Sequence, residues 1–344
     1  MTHMNTLFRM LFGSISSNHA GLPYNLNWQH KPSKSIQKFL KNTSLRIMDI
    51  GARSGYPTEL QALRQHIEYI AFDADPEEAH ALTQIKTNGL KSKRIFPYFV
   101  TKTKENITFN LYKNRGESSG LLPDTYYQHA FAPNTFVIEK QILIEGNSLA
   151  WIAQKEGLPS PDFLKLDTQG TELYILQGAG NWIGQIPLIE TEIEFLPLYQ
   201  NQPLFHDVGQ FMHTHGYVLL YLNRVFTSRQ NYRGKSRGQI IFGDALYGLG
   251  LPQVSTLDTL QKTKYVILLI QYGHRDFACE IVSTYPEIRD ILPSIEQYFK
   301  PEIPFISLFT RLFWMQIDKF ITLLLWLRKT NQLRSDSDRS WPIR

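Results

Sequence analysis

Short apolar runs alternate with helical patterns along this chain. Leu45-Arg-Ile-Met-Asp-Ile50 reads as a buried strand with an acid near its end, and Tyr69-Ile-Ala-Phe72 reads as a second, followed by Asp73. A Gly-containing turn follows the first strand, and Leu60, Leu63 and Ile67 mark one face of a helix, with Thr58 or the turn before it as the cap. Asp75-Pro76 predicts another helix start, with proline at the first helical position. Further on, Asp162-Phe-Leu-Lys-Leu-Asp167 predicts a buried strand ending in an acid. Gly170 permits the turn, and Leu173, Leu176 and Ala179 lie on one face of the helix expected to begin near Thr168. Asn106–Tyr112 alternates as a strand, and Pro187–Phe195 predicts one more. On the latter, Glu190, Glu192 and Glu194 share a face by period two, so that face or its end is expected to meet water, a cation or substrate.

Strand, Gly-turn, helix, strand and acid form the first half of a nucleotide-binding βαβ unit. Glycines let the backbone approach a ligand, and the acid accepts hydrogen bonds from ribose hydroxyls. Asp73 follows Asp49 at about the twenty-residue separation such units show. The turn is Asp49-x-Gly51-x-Arg53-x-Gly55, which lacks the Gly-x-Gly-x-x-Gly of a dinucleotide site. An acid two residues before the first glycine repels a pyrophosphate and suits a ligand with a positive end. S-adenosyl-L-methionine, with its ammonium, sulfonium and ribose, is such a ligand.

Size and composition fit a soluble enzyme. The 344 residues allow two or three domains, and 42% hydrophobic with 19% charged residues can bury a sizeable core. A single cysteine, Cys279, excludes an intrachain disulfide framework and fits a reducing compartment. The net charge of +5 does not indicate a nucleic-acid partner. We divide the chain into an N-terminal arm (1–44), a catalytic domain (45–248), a helical C-terminal extension (249–330) and a tail (331–344) expected to be disordered. In the extension, 257–285 has helical periodicity with a break at Gly273-His274. Residues 301–327 are apolar and aromatic, interrupted by Arg311, Asp318 and Lys319. That segment is expected to pack on the domain, to form a homodimer, or to touch a membrane surface. The expected location is cytoplasmic, or peripheral to the inner face of the membrane.

Other signals are weaker. Gly234-Lys235-Ser236 lacks the upstream glycine of a phosphate loop. Arg224, Arg229, Arg233, Lys235 and Arg237 are expected on a solvated hairpin, with an anionic glycan or a nucleotide-sugar diphosphate as the functional alternative. His206 is a candidate base for hydroxyl activation, whereas His213 and His215 lie on or after a packing helix. No metal is predicted.

The segments Met48-Asp-Ile-Gly-Ala52, Ala71-Phe-Asp-Ala-Asp-Pro76, Phe163-Leu-Lys-Leu-Asp-Thr-Gln-Gly-Thr-Glu172, Glu192-Ile-Glu-Phe-Leu-Pro-Leu-Tyr199 and Gln202–Met212 resemble the FkbM family of methyltransferases. The resemblance covers roughly residues 45 to 222 and implies a Rossmann-like, doubly wound, mostly parallel sheet of the class I methyltransferase fold. It implies an S-adenosyl-L-methionine-dependent enzyme that methylates a hydroxyl of a sugar, glycan or related product. Carried over by position, Asp49, Gly51, Arg53 and Gly55 line the methionine end and Asp73 holds the ribose. Asp167 and Glu192 face the substrate as catalytic candidates. The Ser-rich run Arg115–Leu122 resembles the family's loop near the donor, which makes Ser118 and Ser119 candidate contacts, with turn residues as the alternative. Family members usually carry Asn at the place of Arg53 and Glu-Pro at the place of Asp73-Ala74. Arg53 motivates a rival reading, a non-catalytic donor-fold module. A sugar-nucleotide-using glycan enzyme is the other.

Overall fold

The computed structural model describes residues 31–54, 56–85, 89–131, 135–232, 238–300 and 334–335. Helix α1 (Lys34–Thr43) is capped by the Ser33 hydroxyl, which accepts from the Ile36 amide, and it buries Ile36 and Leu40. It leads into β1 (Leu45–Ile50), buried except at Arg46. The helix expected after the first turn is a 3-10 helix, Thr58–His66. Pro57 gives it no side-chain cap, and Ile67 opens β2 (Ile67–Phe72) instead of extending the helical face. Helix α2 (Pro76–Gln84) starts where the sequence predicts it, with the Asp75 carboxylate accepting from the Glu77 amide. Strands β3 (Ser92–Phe96), β4 (Phe99–Thr101) and β5 (Glu105–Tyr112) follow, then α3 (Thr125–Phe131), β6 (Ile138–Ser148) and α4 (Leu149–Glu156).

The second half opens with β7 (Phe163–Leu166) and a short α5 (Glu172–Gln177), so the helix begins four residues later than Thr168. It continues through β8 (Leu188–Glu194), α6 (Phe205–Thr214), β9 (Tyr217–Leu222), β10 (Val225–Thr227) and β11 (Gln239–Leu249). After it come α7 (Leu251–Val254), α8 (Thr259–Gln271), α9 (Arg275–Thr284), α10 (Glu287–Ile291) and the two-residue β12 (Arg334–Ser335). The break at Gly273-His274 separates α8 from α9 as expected.

The main sheet has the order β3-β2-β1-β7-β8-β11, with β9 and β10 along the far edge of β11 and β12 beside β10. Strands β1, β2, β3, β7 and β8 are parallel, and β11 is antiparallel to β8. This is the mostly parallel, doubly wound sheet the sequence implies. The first three strands build outward on one side of β1 and the later strands build outward from β7, so the order reverses between β1 and β7. Ligands of open α/β sheets sit beyond the carboxyl ends at that point. A three-stranded sheet, β4-β6-β5, is inserted between β3 and β7 and packs Phe99, Phe109 and Leu111 into a cluster of its own.

Helix α8 lies in the same hydrophobic cluster as β1, β7 and β8, with Tyr265 to Ile270 buried in succession. A helix apolar all round is a core helix. Of its two buried lysines, Lys264 meets Asp162 at 2.8 Å and Lys262 lies over the Tyr285 ring. The acid-bearing face of β8 departs from expectation. Glu190 and Glu194 are buried and Glu192 is half-buried. α8 and the loop after it close this side of the sheet, and Tyr272 donates to Glu190 at 3.0 Å, which replaces the water the carboxylate gives up. Residues 301–327 and the tail lie outside the described residues, apart from Arg334–Ser335. Among the described residues, no helix is long and apolar enough to cross a membrane.

Candidate active site

A cleft with about 760 Å³ of empty space, partly open to solvent, lies at the ends of β1, β2 and β7. Gly51 and Arg53 line it from the first turn, Asp73 and Ala74 from the end of β2, and Asp167, Thr168, Gln169 and Thr171 from the end of β7. The small sheet and the loop after it close the far side with Phe99, Val100, Phe109, Arg115 and Ser118.

Gly51 holds φ +84°, where an L side chain is strained, and a Cβ added there would overlap the Asp167 carbonyl oxygen. The first turn is therefore seated directly on the end of β7. Gly170, at φ +99°, reverses the chain after Gln169. Glu172 closes the turn from below, accepting from the Thr168 amide at 2.6 Å and the Gly170 amide at 3.0 Å.

Asp73 is buried at 6% exposure and accepts from the Asp75 amide at 2.9 Å. Burial pushes its carboxyl up to about 6, against that hydrogen bond and the Arg53 charge. Arg53 does not present a free cation to the cleft. Its guanidinium meets Asp75 at 3.1 Å and Glu78 at 3.9 Å, so two carboxylates offset one positive charge.

Asp167 is the acid that the cleft exposes, with a quarter of its side chain accessible. Lys165 lies 3.4 Å from its Oδ2 and 3.9 Å from Asp49 Oδ1. Burial works against the Lys165 charge, but Asp49 and Asp167 more than offset this and hold the ammonium above its ordinary value. Gln169 Nε2 donates to Asp167 Oδ1 at 3.2 Å and to Glu192 Oε2 at 2.8 Å.

Several expected contacts are placed differently. Asp49 is fully buried beneath the cleft, where Tyr69 donates to it at 2.6 Å. It is too deep in β1 to line the cleft. Glu192 does not line the cleft either and is linked to it through Gln169. Burial, followed by Asp167 and Glu194, pushes its carboxyl well up. His206 is three-quarters exposed at the start of α6 beside Asp207 and is not among the residues that line the cleft. Ser119 is fully buried and donates to the Gln169 carbonyl at 2.8 Å; its neighbour Ser118 lines the cleft. Gly55, Arg233, Lys235 and Arg237 lie outside the described residues. The described flanks of the basic stretch form the hairpin of β10 and β11, with Arg229 over the Phe131 ring.

Two residues escaped the sequence reading. Gln169 appeared only as a letter in a motif. Glu117 lies in the loop after β5, where burial and then Asp167 push its carboxyl up to about 7. A glutamate between two glycine- and serine-rich turns carries no sequence signal of that environment.

Residues 49–219 match the methyltransferase FkbM domain. The chain carries an FkbM methyltransferase domain. Its methyl donor is S-adenosyl-L-methionine. The cleft lining suits such a donor in kind: it combines two carboxylates, Asp73 and Asp167, with an apolar wall of Phe99, Val100 and Phe109. No curated protein is significantly similar in sequence. Among solved structures, M. capricolum TrmK in complex with S-adenosyl-homocysteine is similar at 14% identity and TM-score 0.30, over 78% of this chain and 98% of that one. A putative tRNA methyltransferase from Streptococcus pneumoniae is similar at 12% identity and TM-score 0.30, over 78% and 100%. A precorrin-6y C5,15-methyltransferase from Geobacter metallireducens is similar at 12% identity and TM-score 0.29, over 62% and 87%. The FkbM domain's fold in this chain is read from its own strand order.

Proposed function

We propose that this FkbM methyltransferase methylates a hydroxyl oxygen on a sugar, glycan or related secondary product. The supporting observation is Asp167, a partly exposed carboxylate at the end of β7, in the wall of the donor cleft and held by Lys165 and Gln169. Bound S-adenosyl-L-methionine supplies an electrophilic methyl group on a positively charged sulfur. Asp73 accepts hydrogen bonds from the ribose, and the aromatic wall of Phe99 and Phe109 keeps water from the base. Asp167 accepts the proton of the acceptor hydroxyl and orients that oxygen. Thr168, Thr171 and Ser118 add hydroxyl groups that both donate and accept, which suits a polyhydroxy compound. Fixing the two reactants in one cleft supplies much of the acceleration.

The test is transfer of label from methyl-tritiated S-adenosyl-L-methionine to free sugars, nucleotide sugars and surface polysaccharide fractions. The expected product is an alkali-stable methyl ether, lost in Asp167→Asn. Label in an alkali-labile ester, or on nitrogen, would overturn the hydroxyl reading.

A further inference from the structure

Gln169 is held in the cleft by both its backbone and its side chain. It is a non-glycine residue at φ +59°, on the turn between β7 and α5, and its backbone carbonyl accepts from the buried Ser119 hydroxyl. Its amide nitrogen has two hydrogens and two acceptors, Asp167 Oδ1 at 3.2 Å and Glu192 Oε2 at 2.8 Å. Its amide oxygen lies 3.2 Å from the Tyr199 hydroxyl, which also lies 2.8 Å from the Glu117 carbonyl. Carboxylates only accept, so the amide orientation is set by its neighbours. A residue that touches the cleft acid with one hydrogen and the deeper acid with the other, on a strained backbone, is doing more than filling space.

We infer that Gln169 is a positioning residue that holds Asp167 turned into the cleft, against the sulfonium end of the donor, by bridging it to Glu192. This rests on the methyl-transfer reading above and adds to it the device that aims its acid. Without the bridge, Asp167 and Glu192 lose the donor they share, and Asp167 turns toward Lys165 alone. The positive sulfur of S-adenosyl-L-methionine senses this arrangement. The neutral sulfur of S-adenosyl-homocysteine does not.

The experiment compares binding of these two ligands by calorimetry to the whole chain and to Gln169→Glu and Gln169→Gly. Glycine is unstrained at this φ, so Gln169→Gly removes the bridge while favouring the fold. In Gln169→Gly the preference for the sulfonium ligand should fall severalfold with S-adenosyl-homocysteine affinity unchanged. In Gln169→Glu, measured at about pH 8, the added charge should raise that preference about tenfold, the size of a charge effect at this range in a partly buried site. Equal changes for both ligands in both variants would overturn the assignment and leave Gln169 a scaffold residue. If the unaltered chain bound neither ligand, the donor reading itself would fail, an outcome distinct from equal changes.

Discussion

Gly51 sits so close to Asp167 that the turn after β1 and the end of β7 share one backbone contact, with no room for a methyl group between them. The contact couples where the donor lies to where the acid lies. Gly51→Ala must move one of the two segments and also hold alanine at φ +84°. We expect a loss of about 3 kcal/mol or more in stability, and weaker donor binding even below the melting transition. Chemical denaturation and calorimetric titration with S-adenosyl-homocysteine measure the two effects. Wild-type affinity in a folded Gly51→Ala protein would disprove the coupling.

Asp73 sets a second expectation. With its carboxyl pushed up to about 6, it is charged at neutral pH and becomes neutral as the solution is acidified through that value. A protonated carboxyl is a poorer partner for ribose hydroxyls, so donor affinity should fall with pH below about 6. Asp73→Asn should weaken S-adenosyl-homocysteine about tenfold to a hundredfold near pH 8, the range for hydrogen bonds to a charged group. It should also flatten the pH dependence. Binding that keeps the same acid limb in Asp73→Asn would assign that limb to another group.

Arg53 helps the donor site on this account. Its positive charge is one of the forces holding the Asp73 carboxyl down, and Asp75 and Glu78 balance it. Arg53→Gln should therefore raise the Asp73 titration and weaken donor binding near pH 6.5, with little change near pH 8. Tighter binding in the variant at both values would mean that Arg53 repels the donor, as the non-catalytic reading of the sequence requires.

Stability should also depend on pH, in a direction set by the cleft acids. Glu117 and Glu172 are both pushed up to about 7 by burial, and Glu192 and Glu194 are raised as well. In the unfolded chain these groups ionise near their ordinary values, so the folded state holds more protons. The contribution is fully present below those ordinary values and is lost as pH rises through the folded ones. The donor-free protein should melt higher near pH 6.5 than near pH 8. His66 and His274, which burial shifts down, oppose this only at lower pH. Glu192→Gln should shrink the difference, since it removes one buried charge while keeping an acceptor for Gln169. A melting point that rises steadily toward pH 8 would contradict the assignment.

The parts of this architecture carried by local pattern were legible in the sequence. The strands at 45–50 and 163–166, the second strand from Tyr69 to Phe72, the Asp75-Pro76 helix start and the break at Gly273 all follow from periodicity and capping chemistry. That Asp73 and Asp167 line the cleft was legible because strand ends are where such sheets form their clefts. What failed was depth. Asp49 and Glu192 have the right strand positions, yet one lies beneath the cleft and the other behind Gln169. Residue spacing gives the face of a strand and says nothing of how far its neighbours cover it. His206 failed for a related reason, since nearness to the motif in sequence did not bring it into the lining of the cleft. The burial of Glu190 was illegible because its partner, Tyr272, follows 82 residues later, just beyond α8.

The same limit applies to the boundary drawn at residue 249, and Lys264 tests it. Its ammonium is 2% exposed and meets Asp162, 7% exposed, at 2.8 Å, at the entrance to β7. Asp162 also accepts from the Arg46 amide at 2.8 Å, so one carboxylate ties α8, β1 and the start of β7 together. Burial raises the Asp162 carboxyl and Lys264 works against that rise. Lys264→Met leaves the acid buried and short of a counter-ion, which should cost about 3–5 kcal/mol. Adding Asp162→Asn should recover much of the loss, because an amide needs no counter-ion and still accepts from Arg46. If α8 were a separable extension, Lys264→Met would unfold it in a transition of its own and leave donor binding intact. A single cooperative transition, shifted down in the single variant and restored in the double, is the outcome expected of a helix that belongs to the core of the methyltransferase domain.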